Sequence, residues 1–251
     1  RRNYVEVQTN AEVYRAQVVV GADGVNSVVR RSITQQSGSA LSRLLEARID
    51  QIRREDSDQH GPPDCAVLDF SPMAQGIQGY VWSFPAQFGE SSGHTVGVFD
   101  SRIRANASVG PLDTGLRECL ARCSAGLEDQ RVGGWPLRRF EPGSTFSSAR
   151  VLLVGDAAGV DPLLGEGISF ALGYGEVAAQ ELVDAFRQRD FSLRNYRHHI
   201  LHHRVGRFLL RRTRVAALIY RFRRRPVLRF LWWGFGPLIG KFAEHFLVDW
   251  G

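Results

Sequence analysis

The sequence is short of sulfur. Cys65, Cys119, Cys123 and a single methionine, Met73, are all that 251 residues contain. A disulfide-stapled secreted scaffold is therefore excluded, and without a Cys-x-x-Cys pair no zinc site is recognisable. Long apolar runs are also missing. The longest uncharged stretch near the C-terminus, Phe230 to Gly240, falls far below the ~20 residues that a bilayer-spanning helix requires. Lysine is almost absent, since all but Lys241 of the 32 basic residues are arginine. The chain opens Arg1-Arg2-Asn3-Tyr4 rather than with methionine and soon runs into an interior-like strand. It is expected to be the C-terminal portion of a longer protein.

What is present has the balance of a folded protein, with 43% apolar and 23% charged residues. A chain of 28.1 kDa can bury a substantial core as one large domain or two modest ones. Charge is unevenly divided. Between Arg187 and Arg229 fourteen arginines face one acid, Asp190, so that segment carries +13; the chain's net +6 leaves −7 for the rest. A basic tail on an acidic body points to an anionic partner.

Hydropathy patterning gives the organisation. Tyr4 to Gln8 and Val13 to Gln17 alternate around the turn residues Thr9-Asn10, a hairpin that feeds the short apolar strand Val18-Val19-Val20-Gly21. A turn, Gly21-Ala22-Asp23-Gly24, and a capped helix from Asn26 follow. Residues 32–65 are polar, with one helical-looking piece from Leu41 to Ile52 ended by Gly61-Pro62-Pro63. Short β-like runs at Ala66–Phe70, Gly79–Pro85 and His94–Phe99 predict an antiparallel sheet, and Leu112–Leu127 predicts an amphipathic helix. Arg150 to Asp156 is again a short apolar strand, and Gly167–Arg187 has helical period.

The chemistry-bearing string is Gly155-Asp156-Ala157-Ala158-Gly159, then Asp161-Pro162-Leu163-Leu164-Gly165-Glu166-Gly167-Ile168. A buried strand delivers Asp156 at its C-terminal end, where open α/β sheets bind ligands. Gly159, Gly165 and Gly167 let backbone approach a flat ligand, and a helix starting near Gly167 offers free N–H groups and partial positive charge to an anionic ring edge or phosphate. The plainer reading of such a string is an ordinary strand-loop-helix with a glycine-rich turn. A second string, Gly21-Ala22-Asp23-Gly24-Val25-Asn26-Ser27-Val28-Val29-Arg30, is in its plainer form a tight strand-helix turn, with Asp23 bonding backbone and Ser27 or Asn26 capping.

The first string resembles the second flavin-binding motif of FAD-dependent oxidoreductases of the aromatic-hydroxylase structural class, and the other resembles their Asp-Gly motif. The resemblance implies that Asp156 bonds the ribityl chain of FAD, and that Pro162, Gly165, Glu166, Gly167 and Ile168 lie along the isoalloxazine. It also implies that Gly155 and Gly159 belong to the cofactor-binding set, with Asp23 and Gly24 near the pyrophosphate. The family's Gly-x-Gly-x-x-Gly phosphate loop has no counterpart here, which is expected from truncation. Within the class, Tyr80-Val81-Trp82-Ser83-Phe84-Pro85 is similar to the Tyr-x-Trp-x-Phe-Pro motif of geranylgeranyl reductases, with Ala86 where many members have Lys. Period-two alternation puts Tyr80, Trp82 and Phe84 on one strand face. Such a face is expected to wall a long unsaturated chain, or else to be ordinary sheet core facing a helix. Gly133-Gly134-Trp135-Pro136 also resembles a segment that returns the chain toward the flavin in these reductases.

Cys119 and Cys123 share a helix face at a spacing too wide for a disulfide, so they and Cys65 are expected to be small buried apolar residues. His198, His199, His202 and His203 lack an accompanying carboxylate and read as surface histidines of a basic helix rather than metal ligands. Arg204, Arg207, Arg211 and Arg214 fall on one helical stripe, while Leu201, Val205, Phe208, Leu209, Ala216 and Ile219 lean to another. With Phe230-Leu231-Trp232-Trp233 beyond, this reads as an interfacial helix on an anionic membrane, in preference to nucleic acid or to a solvated cap.

The sequence thus predicts α/β and α+β architecture: part of a Rossmann-like FAD/NAD(P)-binding domain over 1–36 and 147–190, interrupted by an antiparallel-sheet substrate domain over 37–146 and followed by basic helices over 191–251. The resemblance implies a cytoplasmic FAD-dependent reductase, peripheral on the inner face of the membrane, that saturates isoprenoid carbon–carbon double bonds with electrons from NADPH, NADH or another donor. A flavin monooxygenase acting on a lipophilic substrate and a non-catalytic membrane-associated fragment are the alternatives. No proton donor is assigned, and neither Tyr80 nor His94 is singled out as catalytic.

Overall fold

The computed structural model describes residues 3–34, 40–49, 65–105, 107, 109–122 and 131–221. Cys123, the Gly61-Pro62-Pro63 break, Phe230-Leu231-Trp232-Trp233 and Lys241 lie outside these residues. Described strands are β1 (Val5–Gln8), β2 (Val13–Ala16), β3 (Val19–Gly21), β4 (Leu41–Ile49), β5 (Val67–Asp69), β6 (Gly79–Phe88), β7 (Ser91–Asp100), β8 (Gly133–Arg138), β9 (Ser147–Ser148) and β10 (Val151–Leu153). Helices are α1 (Val28–Ile33), α2 (Leu112–Arg122), α3 (Gly155–Ala158), α4 (Ile168–Gln188), α5 (Tyr196–His202) and α6 (Arg204–Ile219). The described residues form two compact units, one of 3–34, 40 and 137–214, the other of 41–49, 65–105, 107, 109–122, 131–136 and 215–221.

In the first unit β1 and β2 form the expected antiparallel hairpin, with the Thr9 hydroxyl accepting the N–H groups of Ala11 and Glu12. The central feature is a pairing across some 130 residues of sequence. β3 and β10 run parallel with Val19 opposite Val151 and Gly21 opposite Leu153, and β9 adds antiparallel to β10. Leu152 and Leu153 are fully buried against Phe170, Tyr174 and Val177 of α4 and against Tyr196, Ile200, Val205 and Leu209 of α5 and α6. Each such side chain contributes roughly 1.5–3 kcal/mol when fully buried. The tyrosines also satisfy backbone: Tyr196 donates to the Leu153 carbonyl at 3.0 Å and Tyr174 to the Gly159 carbonyl at 2.9 Å. β3 departs from the expected fully buried strand, with Val20 42% exposed, because among the described residues it has one neighbour, β10.

The second unit is a five-stranded sheet in the order β5-β6-β7-β4-β8. Its first strand corrects the sequence reading: Leu41–Ile49 is not helical but pairs antiparallel with β7, Leu45 opposite Val98 and Ile49 opposite His94. Leucine, glutamate and arginine favour a helix locally, but alternation of Leu45, Ala47 and Ile49 onto one face of a paired strand wins. That face, with Val81, Val96 and Val98, packs against Leu116, Cys119 and Leu120 of α2. Cys119 is buried as expected; Cys65 is exposed, contrary to expectation, since it precedes β5 instead of lying in a sheet face.

In α6, Val205, Phe208, Leu209 and Ala216 are buried and Arg204, Arg207 and Arg214 exposed, as their phase predicts. Ile219, assigned to the apolar side, is 37% exposed at the helix end. No described helix is long and apolar enough to cross a membrane.

Candidate functional site

Parallel pairing of β3 with β10 brings the C-terminal ends of both strands side by side, and each end carries one of the two aspartate turns. The Val154 N–H donates to the Gly21 carbonyl at 3.0 Å, and Arg30 of α1, buried to 4% exposure, donates to the Ala157 carbonyl at 3.1 Å. Residues 21–30 and 155–168 thus meet within one unit.

The two aspartates differ in what they bond. Asp23, although mostly exposed, is engaged by its own chain: its Oδ1 accepts the Ser27 hydroxyl and its Oδ2 the N–H groups of Val28 at 2.7 Å and Val29 at 3.2 Å. Partial burial pushes its carboxyl up, but those three groups, together with the backbone of Asp23 itself, outweigh it and hold the pKa below its ordinary value. Ser27 is the N-cap, accepting the Arg30 N–H at 2.8 Å. Gly24 takes a left-handed φ of 76° between them.

Asp156 has no such partner among the described residues. Its carboxylate is half-buried and burial alone raises its pKa. It stands beside the start of α4, where a Cβ built on Gly167 would lie 3.4 Å from Asp156 Oδ1. Gly167 is the N-cap of that 21-residue helix and provides no side-chain cap, so the first-turn N–H groups keep the positive end of the helix dipole open. A ligand offering hydroxyls to Asp156 and an electronegative edge to α4 would satisfy both.

The intervening loop places the remaining motif residues. Gly155 and Pro162 are buried, Gly165 and Glu166 are half-buried, and Ile168 is 83% exposed on the first turn of α4. Gly159 has a packing reason of its own: a Cβ there would sit 2.7 Å from the Arg139 carbonyl, and its φ is 118°. Sequence reasoning did not single out Arg30, or Arg212 of α6, whose guanidinium is paired with Asp161 and Glu166. The signal for Arg212 was its phase, shared with Val205, Phe208, Leu209 and Ala216 on the apolar side of the helix.

The aromatic residues belong to the second unit. Tyr80 and Trp82 are each 5% exposed and Phe84 is half-buried, with centroids 6.0 Å apart for Tyr80–Trp82 and 6.2 Å for Trp82–Phe84. Phe70 and Phe99 extend the strip at 5.4 and 5.8 Å from Tyr80. Trp82 lies over Gly97 of the neighbouring strand, where any Cβ would come within 2.2 Å of the indole. This strip is opposite the face covered by α2, which holds Val81, Val96 and Val98. His94 belongs to the α2 side, with its Nδ1 2.9 Å from the Ser83 hydroxyl, and is therefore not on the aromatic strip.

No family model matches the chain. Its sequence is similar to the digeranylgeranylglycerophospholipid reductase of Methanocaldococcus jannaschii, 30% identical over 198 residues covering 75% of this chain and 46% of that protein. It is also similar to digeranylgeranylglycerophospholipid reductase 1 of Methanopyrus kandleri, 29% identical over 184 residues covering 71% and 46%. In fold it matches a geranylgeranyl bacteriochlorophyll reductase-like protein of Thermoplasma acidophilum with a TM-score of 0.63 at 23% identity, over 86% of this chain and 54% of that one. The chain spans about half the length of the curated relatives it matches. It is by sequence a relative of the geranylgeranyl reductases, and it has their mixed α/β fold.

Proposed function

We propose that this chain is part of an FAD-dependent reductase that saturates carbon–carbon double bonds in the isoprenoid chains of a lipid. The observation that carries the reading is Asp156, a half-buried carboxylate without a partner among the described residues, beside the uncapped start of α4. Ribityl hydroxyls are suitable donors to it, each a charge-assisted hydrogen bond. First-turn N–H groups of α4 suit the pyrimidine edge of the ring, where negative charge accumulates on reduction. Gly155, Gly159, Pro162, Gly165, Glu166, Gly167 and Ile168 form the surrounding loop, with Asp23 and Gly24 in the adjoining turn. FAD, when bound, supplies the hydride; NADPH or NADH is the proposed source of electrons.

Tyr80, Trp82 and Phe84 are the proposed seat of the isoprenoid chain, an aromatic strip of mutually tilted rings suited to polyene carbon. Such an alkene is not polarised by a carbonyl, so hydride delivery requires a proton at the other carbon. His94, on the α2 side of the sheet, is not a candidate for that strip. The reductase names of the curated relatives favour this reading over a monooxygenase. The exposed Arg207 and Arg214 are the proposed contact with an anionic membrane on its cytoplasmic face, each contributing about 1 kcal/mol near such a surface, while Arg204 beside them is paired with Glu176 at 2.9 Å.

The test is flavin occupancy. Asp156→Ala should release FAD from the purified whole protein, read from the flavin absorption band; unchanged occupancy would show that Asp156 has another role. Trp82→Phe should keep the flavin but slow turnover of a long geranylgeranyl chain, and equal turnover would remove the strip from the substrate path.

A further inference from the structure

Arg212 stands apart from the other arginines of α6. Arg204, Arg207 and Arg214 are exposed and Arg211 is half-buried, whereas Arg212 is 2% exposed. A guanidinium buried to that degree has to be paired, because an uncompensated charge there costs several kcal/mol. Its Nη1 donates to Asp161 Oδ2 and, at 3.0 Å, to Glu166 Oε2. Its Cζ lies 4.7 Å from the Phe208 ring centroid and 5.4 Å from that of Phe170.

The two acids it joins are the ends of the segment that leads into α4. Asp161, fully buried, also accepts the N–H groups of Leu163 at 2.8 Å and Leu164 at 3.0 Å. The Asp161 N–H in turn donates to the Glu166 carbonyl at 3.3 Å, and Glu166 Oε1 accepts the Ser169 hydroxyl in the first turn of α4. One guanidinium therefore closes the loop across both ends and ties it to the helix start beside Asp156. Burial still pushes the Asp161 carboxyl up despite Arg212 and the loop N–H groups, so the cluster is held at an energetic cost. Apolar residues of similar volume are often as stable in such a place, so stability alone does not account for the cluster, whereas fixing the loop's path does.

We propose that Arg212 is a positioning residue for the cofactor loop, setting the path of residues 161–167 and offsetting the charge of one of the two carboxylates there. The inference rests on the flavoprotein reading above. Arg212→Lys retains the charge but replaces the guanidinium, whose Nη1 bridges both acids, with a compact ammonium on a differently shaped stem. Arg212→Met loses both and leaves Asp161 and Glu166 without a cation.

In the whole flavin-loaded protein, Arg212→Lys should weaken binding of oxidised FAD about tenfold while leaving the reduction potential of bound flavin near that of the parent. Arg212→Met should weaken it further and also disfavour the reduced, anionic flavin by about tenfold relative to the oxidised form, a drop of about 30 mV for a two-electron couple. The double variant Arg212→Met/Asp161→Asn relieves the buried charge, so it keeps the measurement possible if the single variant fails to fold; its potential should return toward the parent while its FAD affinity stays low. A lower urea midpoint with unchanged affinity and potential would reduce Arg212 to a structural ion pair and overturn the proposal. If Asp156→Ala releases flavin but the Arg212 variants bind it normally, only this inference fails. A parent protein that takes up no FAD overturns both.

Discussion

Two turns at the ends of two adjacent parallel strands treat their aspartates in opposite ways. At the end of β3, Asp23 gives both carboxylate oxygens to its own chain and stays ionised more readily than an ordinary aspartate. At the end of β10, Asp156 is more deeply placed, bonds none of the described residues and is harder to ionise. Strand-end location is the same, so location does not distinguish an aspartate satisfied by its own turn from one left open. Hydrogen-bond satisfaction does. Asp23 builds the turn and starts α1; Asp156 remains available.

The comparison can be broken by exchanging the expected effects. Asp156→Ala carries the largest one: losing charge-assisted bonds should weaken FAD about tenfold to a hundredfold, roughly 1.4–2.7 kcal/mol, measured by titrating apoprotein with flavin. Asp23→Ala should instead cost about 1 kcal/mol of stability in urea, as for loss of a helix cap, with FAD occupancy little changed. Flavin loss from Asp23→Ala matching that from Asp156→Ala would erase the distinction.

Acid sharpens it. Asp23 has a folded pKa below its unfolded one, so its contribution is present above the unfolded value and is lost as pH falls through the folded one. Asp156 has the opposite sign: in the apoprotein its ionised form costs stability at neutral pH, and that cost disappears as pH falls through its raised value. Asp156→Asn should therefore make the apoprotein slightly more stable at pH 7 and remove part of the pH dependence of FAD binding. Urea midpoints across pH 3–7 would check both signs, and parallel profiles for the two variants would contradict them.

How much of this was legible in the sequence depended on how local the signal was. The β1–β2 hairpin, the Ser27 cap, the strand before Asp156 and the long α4 all announce themselves within a few residues, and all are present. The alternation in Gly79–Phe88 placed Tyr80, Trp82 and Phe84 on one face correctly. β4 was misread because its partner, β7, lies about fifty residues away and its own residues prefer a helix. The packing of Gly159 against the Arg139 carbonyl is invisible in the sequence, because that carbonyl comes from a segment twenty residues away. Arg212 is one of fourteen arginines in the basic segment, and helical phase alone sets it apart from Arg204, Arg207 and Arg214 of the same helix.

That separation divides the arginines of α6 into two populations that respond differently to ionic strength. Arg204, Arg207 and Arg214 lie in solvent, where the screening length is about 8 Å at physiological salt and shrinks as salt is added. Arg212, between Phe170 and Phe208 and against Asp161, is shielded from mobile ions. Salt that screens the outer arginines would leave the inner grip of Arg212 on Asp161 in place, so the two sides of one helix answer to different conditions.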